Sequence, residues 1–160
     1  MPETIFGLPL HPLVVHATVV VVPTAAIVLV LSLVWPRFRA WAGVLPLALA
    51  AASVVLAPLS TSTGEGLEHM VGESQLVREH AQLGEMLVWW CVGMLVVAAA
   101  AWWFRRSRPH LTRGIATTLV VAGTVVSLGT LVQTALIGHS GAKAAWSGVA
   151  AQSSSSSDGD

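Results

Sequence analysis

Strongly polar side chains are nearly missing from four long stretches of the chain, and these stretches set the rest of the reading. From Pro12 to Trp35 the sequence runs PLVVHATVVVVPTAAIVLVLSLVW, with His16 its only ionisable group. Spans of the same character lie at 13–35, 41–60, 83–104 and 114–138. A helix needs roughly 20 residues to cross the hydrocarbon core of a bilayer. Valine-rich runs also suit strands, but a buried strand normally stops at about eight residues. Length decides for helix. The first stretch has no basic residue ahead of it, so it is read as a span and not as a cleaved signal. Small residues recur within the spans (Ala48 and Ala52, Gly93 and Ala101, Gly123 and Ser127) and let helix backbones approach closely. The predicted fold is all-α: a transmembrane four-helix bundle. Pro23 removes one hydrogen bond within the first helix and is expected to kink it.

The segments between the spans carry the charge, and they carry it unevenly. The turns after spans one and three hold Arg37, Arg39, Arg105, Arg106, Arg108 and Arg113, six basic residues with no acid. The other side holds all eight acids against Arg78 and Lys143. Short basic connections stay in the cytoplasm. The chain is therefore expected to form two antiparallel hairpins in the cell membrane, with both termini extracytoplasmic. Trp35, Trp41, Trp102 and Trp103 sit at the cytoplasmic boundary, where amphipathic rings prefer to lie.

Composition agrees with this placement. The 160 residues are 54% hydrophobic and 10% charged, with a mean hydropathy of +0.74, whereas soluble domains carry about 25% charged residues. One cysteine, Cys91, excludes a disulfide scaffold and any Cys-rich metal centre. Eight basic residues balance eight acidic ones, leaving no net field to attract nucleic acid. Residues 1–150 are read as one four-span domain with no internal repeat, and 151–160 as a disordered Ser-rich tail. Ser62-Thr63-Gly64-Glu65 matches a capping box and predicts a helix start in the connection at 61–82, with a second start near Ser74. Gly138 and Gly141 bracket an expected break before a short interfacial helix over 142–150, anchored by Trp146.

Candidate chemistry gathers at the acidic side. Within the spans the strongly polar groups are His16, Glu85 and Gln133, and ionisable groups in a membrane helix are functional-site hypotheses by default. Five of the six histidines (His11, His16, His69, His80 and His139) lie on that side, and His110 on the other. His80, Gly84, Leu87 and Cys91 share one helical stripe, where Gly84 is expected to leave a hole below His80 for the edge of a flat cofactor. Arg78 and Lys143 stand beside His80 and His139, as two carboxylates of a haem would require. These residues predict a b-type haem between His16 and His80, a six-coordinate iron suited to moving one electron. A zinc or copper site from His11, His16, His80, His139 and Glu85 is the metal alternative. A cofactor-free scaffold, ordered by the same polar groups, is the other. No catalytic triad, phosphate-cradling glycine loop or carboxylate pair points to an enzyme.

Four segments bear a resemblance to a known family. Gly7-Leu8-Pro9-Leu10-His11-Pro12-Leu13-Val14-Val15-His16, Thr63-Gly64-Glu65, His80-Ala81-Gln82-Leu83-Gly84-Glu85 and Gly138-His139-Ser140-Gly141-Ala142-Lys143, in this order, resemble the bacterial family catalogued as domain of unknown function 2231. The similarity runs from about Ile5 to Trp146. It implies a four-span membrane protein whose relatives sit beside or fused to c-type cytochromes, hence a redox partner protein on the extracytoplasmic side. It also makes His11, His16, His80, Glu85 and His139 the positions to test.

Overall fold

The computed structural model describes residues 4–5, 8–71, 74–107 and 112–155, with side chains over 11–65, 74–107 and 112–146. Two short strands, β1 (Thr4–Ile5) and β2 (Leu8–Pro9), pair antiparallel ahead of the helices. Five helices follow: α1 (Leu10–Val34), α2 (Pro36–Ala42), α3 (Leu45–Val71), α4 (Gln75–Ser107) and α5 (Arg113–Ser155). Four of them, α1, α3, α4 and α5, are long and apolar enough to cross a membrane.

The four long helices stand in a ring. α1 packs on α3 and α5, and α4 packs on the same two, so α1 and α4 meet only across the diagonal. Small and slender side chains fill the centre: Val22, Ala25, Ala26 and Leu29 of α1, Ala50 and Ala57 of α3, Cys91, Met94 and Ala98 of α4. The outside is apolar as well, with Val20, Val55, Trp89, Val96 and Val121 exposed. An aqueous protein rarely leaves so much contiguous apolar surface uncovered; acyl chains cover it in a bilayer. The buried polar groups are mostly hydroxyls that bond carbonyls of their own helix, such as Thr18 to Val14 and Ser53 to Leu49. That is how a hydroxyl is satisfied where water is absent. Among the described residues, Ser127 Oγ is the buried side-chain oxygen without a partner.

Glycines set the approach of the helices. A Cβ on Gly93 would stand 3.2 Å from Val126, one on Gly123 would strike Leu33, and one on Gly129 would strike the Trp90 ring. The small-residue positions of α4 and α5 are therefore interhelical contacts.

Three local expectations fail. The turn after α1 is a helix, α2, which begins on Pro36 and ends at Gly43, so the second span starts at Leu45 and not at Trp41. Proline suits the first turn, where its missing N–H costs nothing, and Gly43 adopts a φ of 54° that side-chain-bearing residues resist. Trp35 stacks on Phe38 with ring centroids 6.2 Å apart, and Phe38 meets Trp41 in a tilted pair at 5.5 Å. Next, α3 runs through Ser62–Glu65 without restarting. The Ser62 hydroxyl, expected to cap a new helix, donates to the Leu59 carbonyl 3.1 Å away. Finally, α5 continues past Gly138 and Gly141 to Ser155 with no break, and so takes in the first half of the expected disordered tail. Glycine costs a helix about 1 kcal/mol against alanine; at Gly141 the gain is close approach to another helix. Residues 156–160, Arg108 and His110 lie outside the described residues, as does the His69 side chain.

Candidate functional site

The first turn of α1 meets the far end of α3, and the first turns of α4 meet the far end of α5. Each meeting is made by a histidine. His11 Nδ1 lies 3.1 Å from Thr63 Oγ1. A Cβ on the next residue, Gly64, would stand 3.1 Å from the same ring. His80 Nδ1 lies 3.0 Å from Ser140 Oγ, and a Cβ on Gly141 would stand 3.0 Å from the His80 ring. The same device is thus built twice: an imidazole on the leading helix, and a hydroxyl–glycine dipeptide on the following one. The absence of an internal repeat, expected from the spans, does not extend to these positions.

The hydroxyls bear on the tautomer of both rings. Each has a single proton. Thr63 Oγ1 places its proton on carbonyls of its own helix, and Ser140 Oγ places its proton on the Ile137 carbonyl 3.0 Å away. With the hydroxyl protons so placed, both oxygens accept, and Nδ1–H of His11 and of His80 donates to them. In the neutral ring the lone pair then resides on Nε2, the nitrogen available to a metal. The Ser60 backbone also acts on the His11 ring. His11 and His80 are half-buried and lie within range of each other's charge across the bundle diagonal.

His16 does not join them. Its ring is exposed, and Nδ1 lies 2.6 Å from the Pro12 carbonyl of its own helix. Five residues turn a helix by about 140°, so with His11 facing the bundle His16 faces outward. His80 and Glu85 are related in the same way, and Glu85 is exposed. The α1 histidine turned toward the bundle is therefore His11, and the expected His16 is turned away from it. His139 and Lys143 are exposed on α5, and Arg78 is exposed on α4. The hole expected at Gly84 is occupied: a Cβ there would stand 3.3 Å from the Thr61 methyl, so this glycine admits α3. Among the described residues no three His, Cys, Asp or Glu side chains come together to hold a metal ion. Thr63, Ser140 and the two glycines beside them are site residues that sequence reasoning assigned to a cap and a break.

Below His80, Gln133 is 5% exposed, and its Nε2 donates to the Leu83 carbonyl at 2.7 Å. This bond ties α5 to α4 one turn beneath the ring. Gln133→Leu is expected to lower unfolding stability in detergent by about 0.5–2 kcal/mol, the range for interhelical side-chain bonds in membranes, and an unchanged denaturation midpoint would remove that role.

A family model described as predicted membrane protein (DUF2231) matches residues 7–153. The chain belongs to this family. The match takes in all four candidate spans and, in this DUF2231 protein, every residue of the paired histidine device. No curated protein and no solved structure matches the chain.

Proposed function

We propose that this membrane protein holds one b-type haem between His11 and His80 and passes single electrons to and from a partner. The observation that carries the reading is the pair of half-buried imidazoles on diagonal helices, each with Nδ1 engaged by a hydroxyl, which leaves Nε2 for a metal. Two such nitrogens, with no third protein ligand beside them among the described residues, match the axial demand of a macrocycle better than that of zinc or copper. Zinc sites take three or four protein ligands, whereas haem iron supplies four ring nitrogens itself. An iron saturated by two imidazoles exchanges electrons without an open position for a substrate.

The arginine asymmetry supports placing the histidine end on the extracytoplasmic side, with two antiparallel hairpins and both termini outside. The partner is then a redox protein of that compartment. Expression with haem supplied, purification in detergent and a pyridine haemochrome assay should return about one haem per chain, one iron for two axial imidazoles. A Soret-free preparation with under about a tenth of an equivalent would overturn the reading, because an axial pair cannot act without its iron.

One observation favours a second reading. Both rings press on glycine positions, so they also serve as wedges that hold each pair of helices in register. In a cofactor-free scaffold that would be their whole task, and His80→Ala would lower stability while no chromophore or metal is found in the unsubstituted protein.

A further inference from the structure

The opposite end of the bundle carries a second concave site that the haem reading does not use. Between α2 and the last turns of α4 lies an open cleft of roughly 470 Å³ whose lining includes Arg39, Arg105, Arg106, Trp102, Pro36 and Gly43. Three guanidinium groups in one cleft is an unusual density for a chain with eight basic residues in all. Arg39 and Arg105 are half-buried and lie within range of each other's like charge. Arg106 sits over the Trp102 ring with its guanidinium carbon 5.8 Å from the centroid, which orients it beside the other two. The sequence places no acid between Glu3 and Glu65 or between Glu85 and Asp158, so this end has no carboxylate of its own to neutralise them.

Like charges are held together here by the backbone. Arg39 rides on α2, whose last turn closes with the Gly43 N–H donating to the Arg39 carbonyl at 3.2 Å, and the positive φ of Gly43 directs the chain on into α3. Basic side chains at the end of α4 also complement the helix dipole, which accounts for Arg105 and Arg106 but not for Arg39 brought against them from another helix. Planar guanidinium groups bind phosphate oxygens in parallel pairs, and basic pockets between membrane helices receive phosphorylated head groups. The Trp102 and Pro36 wall suits the apolar part of a lipid next to such a head group.

We infer that the Arg39–Arg105–Arg106 cleft is a binding site for a single phosphate group, carried by an anionic lipid or free in solution. The test uses the full chain in nanodiscs of phosphatidylcholine alone, of phosphatidylcholine with phosphatidylglycerol, and of phosphatidylcholine with inorganic phosphate added. Thermal unfolding and native mass spectrometry of the released protein are the readouts. Phosphatidylglycerol should raise the melting temperature and remain bound at one per chain. R39Q/R105Q should weaken that retention about thirtyfold, at the usual contribution of each arginine near an anionic surface. R39K/R105K keeps the charge, guards against a folding defect and should weaken retention less. R37Q changes an arginine outside the cleft and should behave as the unsubstituted protein. Stabilisation by inorganic phosphate alone, lost in R39Q/R105Q, would support the same site with a free anion as its ligand. Equal losses in R37Q and R39Q/R105Q, or no response to either phosphate source, would overturn the inference.

Discussion

If a haem is held as proposed, His11→Ala is expected to remove its six-coordinate low-spin spectrum, whereas His16→Ala should leave that spectrum in place. The two residues stand five positions apart on α1, yet only His11 is turned toward the bundle, hydrogen-bonded to Thr63 and set against Gly64. His16 is bonded to the Pro12 carbonyl of its own helix. In the proposed site, loss of one of the two imidazoles would leave the iron a single protein ligand, and the haem should turn high-spin or be lost during purification. The hydroxyls contribute less but measurably. Ser140→Ala frees His80 from its tautomer and orientation, and partners of this kind are worth about 10–100-fold in affinity. Haem titration followed in the Soret region checks all three variants. A His16→Ala protein that loses the low-spin form while His11→Ala keeps it would reverse the assignment.

Gly129→Ala destabilises the bundle strongly, and Gly138→Ala does not. Both glycines lie on α5, nine residues apart, but their surroundings are opposite. A Cβ on Gly129 would overlap the Trp90 ring, while one on Gly138 would meet nothing within 4 Å. The Trp90 ring stands where the new methyl would be, so either the indole or the two helices must shift. Overpacking of this kind costs about 1–3 kcal/mol. At Gly138 the same substitution only relieves a glycine inside a helix, a gain of about 0.5–1 kcal/mol. Unfolding in mixed detergent, followed by tryptophan fluorescence, measures both changes. Equal effects of the two substitutions would mean that Trp90 does not lie on Gly129.

The number of spans and the membrane character were legible in the sequence because they rest on length and composition alone. Four apolar stretches too long for strands can only be helices, and the structure has four helices capable of crossing a bilayer. Which face of each helix turns inward was not legible. In a soluble helix the apolar stripe marks the buried side. In α1 nearly every position is apolar, so periodicity is silent, and the sequence reading set His16 rather than His11 against His80. The decisive contacts come from Thr63 and Ser140, 52 and 60 positions from the histidines they hold.

Glycines were misread for a related physical reason. Rules drawn from proteins in water treat Gly138 and Gly141 as a helix end, because water can solvate a broken turn. Near a bilayer, where intrahelical bonds are harder to replace, a helix keeps its glycines and uses them for packing. Gly141 against His80 and Gly129 against Trp90 are such uses. Ser62-Thr63-Gly64-Glu65 failed as a capping box in the same way, the Ser62 hydroxyl spent on the Leu59 carbonyl of an unbroken helix. The turn at 36–43 was legible in principle, since Pro36 and Gly43 bracket α2 at the positions where helices begin and end.

Whether residues 11 and 80 face one another across the bundle is measured most directly by cross-linking, with no cofactor involved. In a Cys91→Ala background, H11C/H80C and H16C/H80C proteins are treated in membranes with a short bis-maleimide and resolved by protease mapping. The 11/80 pair should form an intramolecular cross-link and the 16/80 pair should not. Cross-linking of 16/80 with none at 11/80 would contradict the paired site.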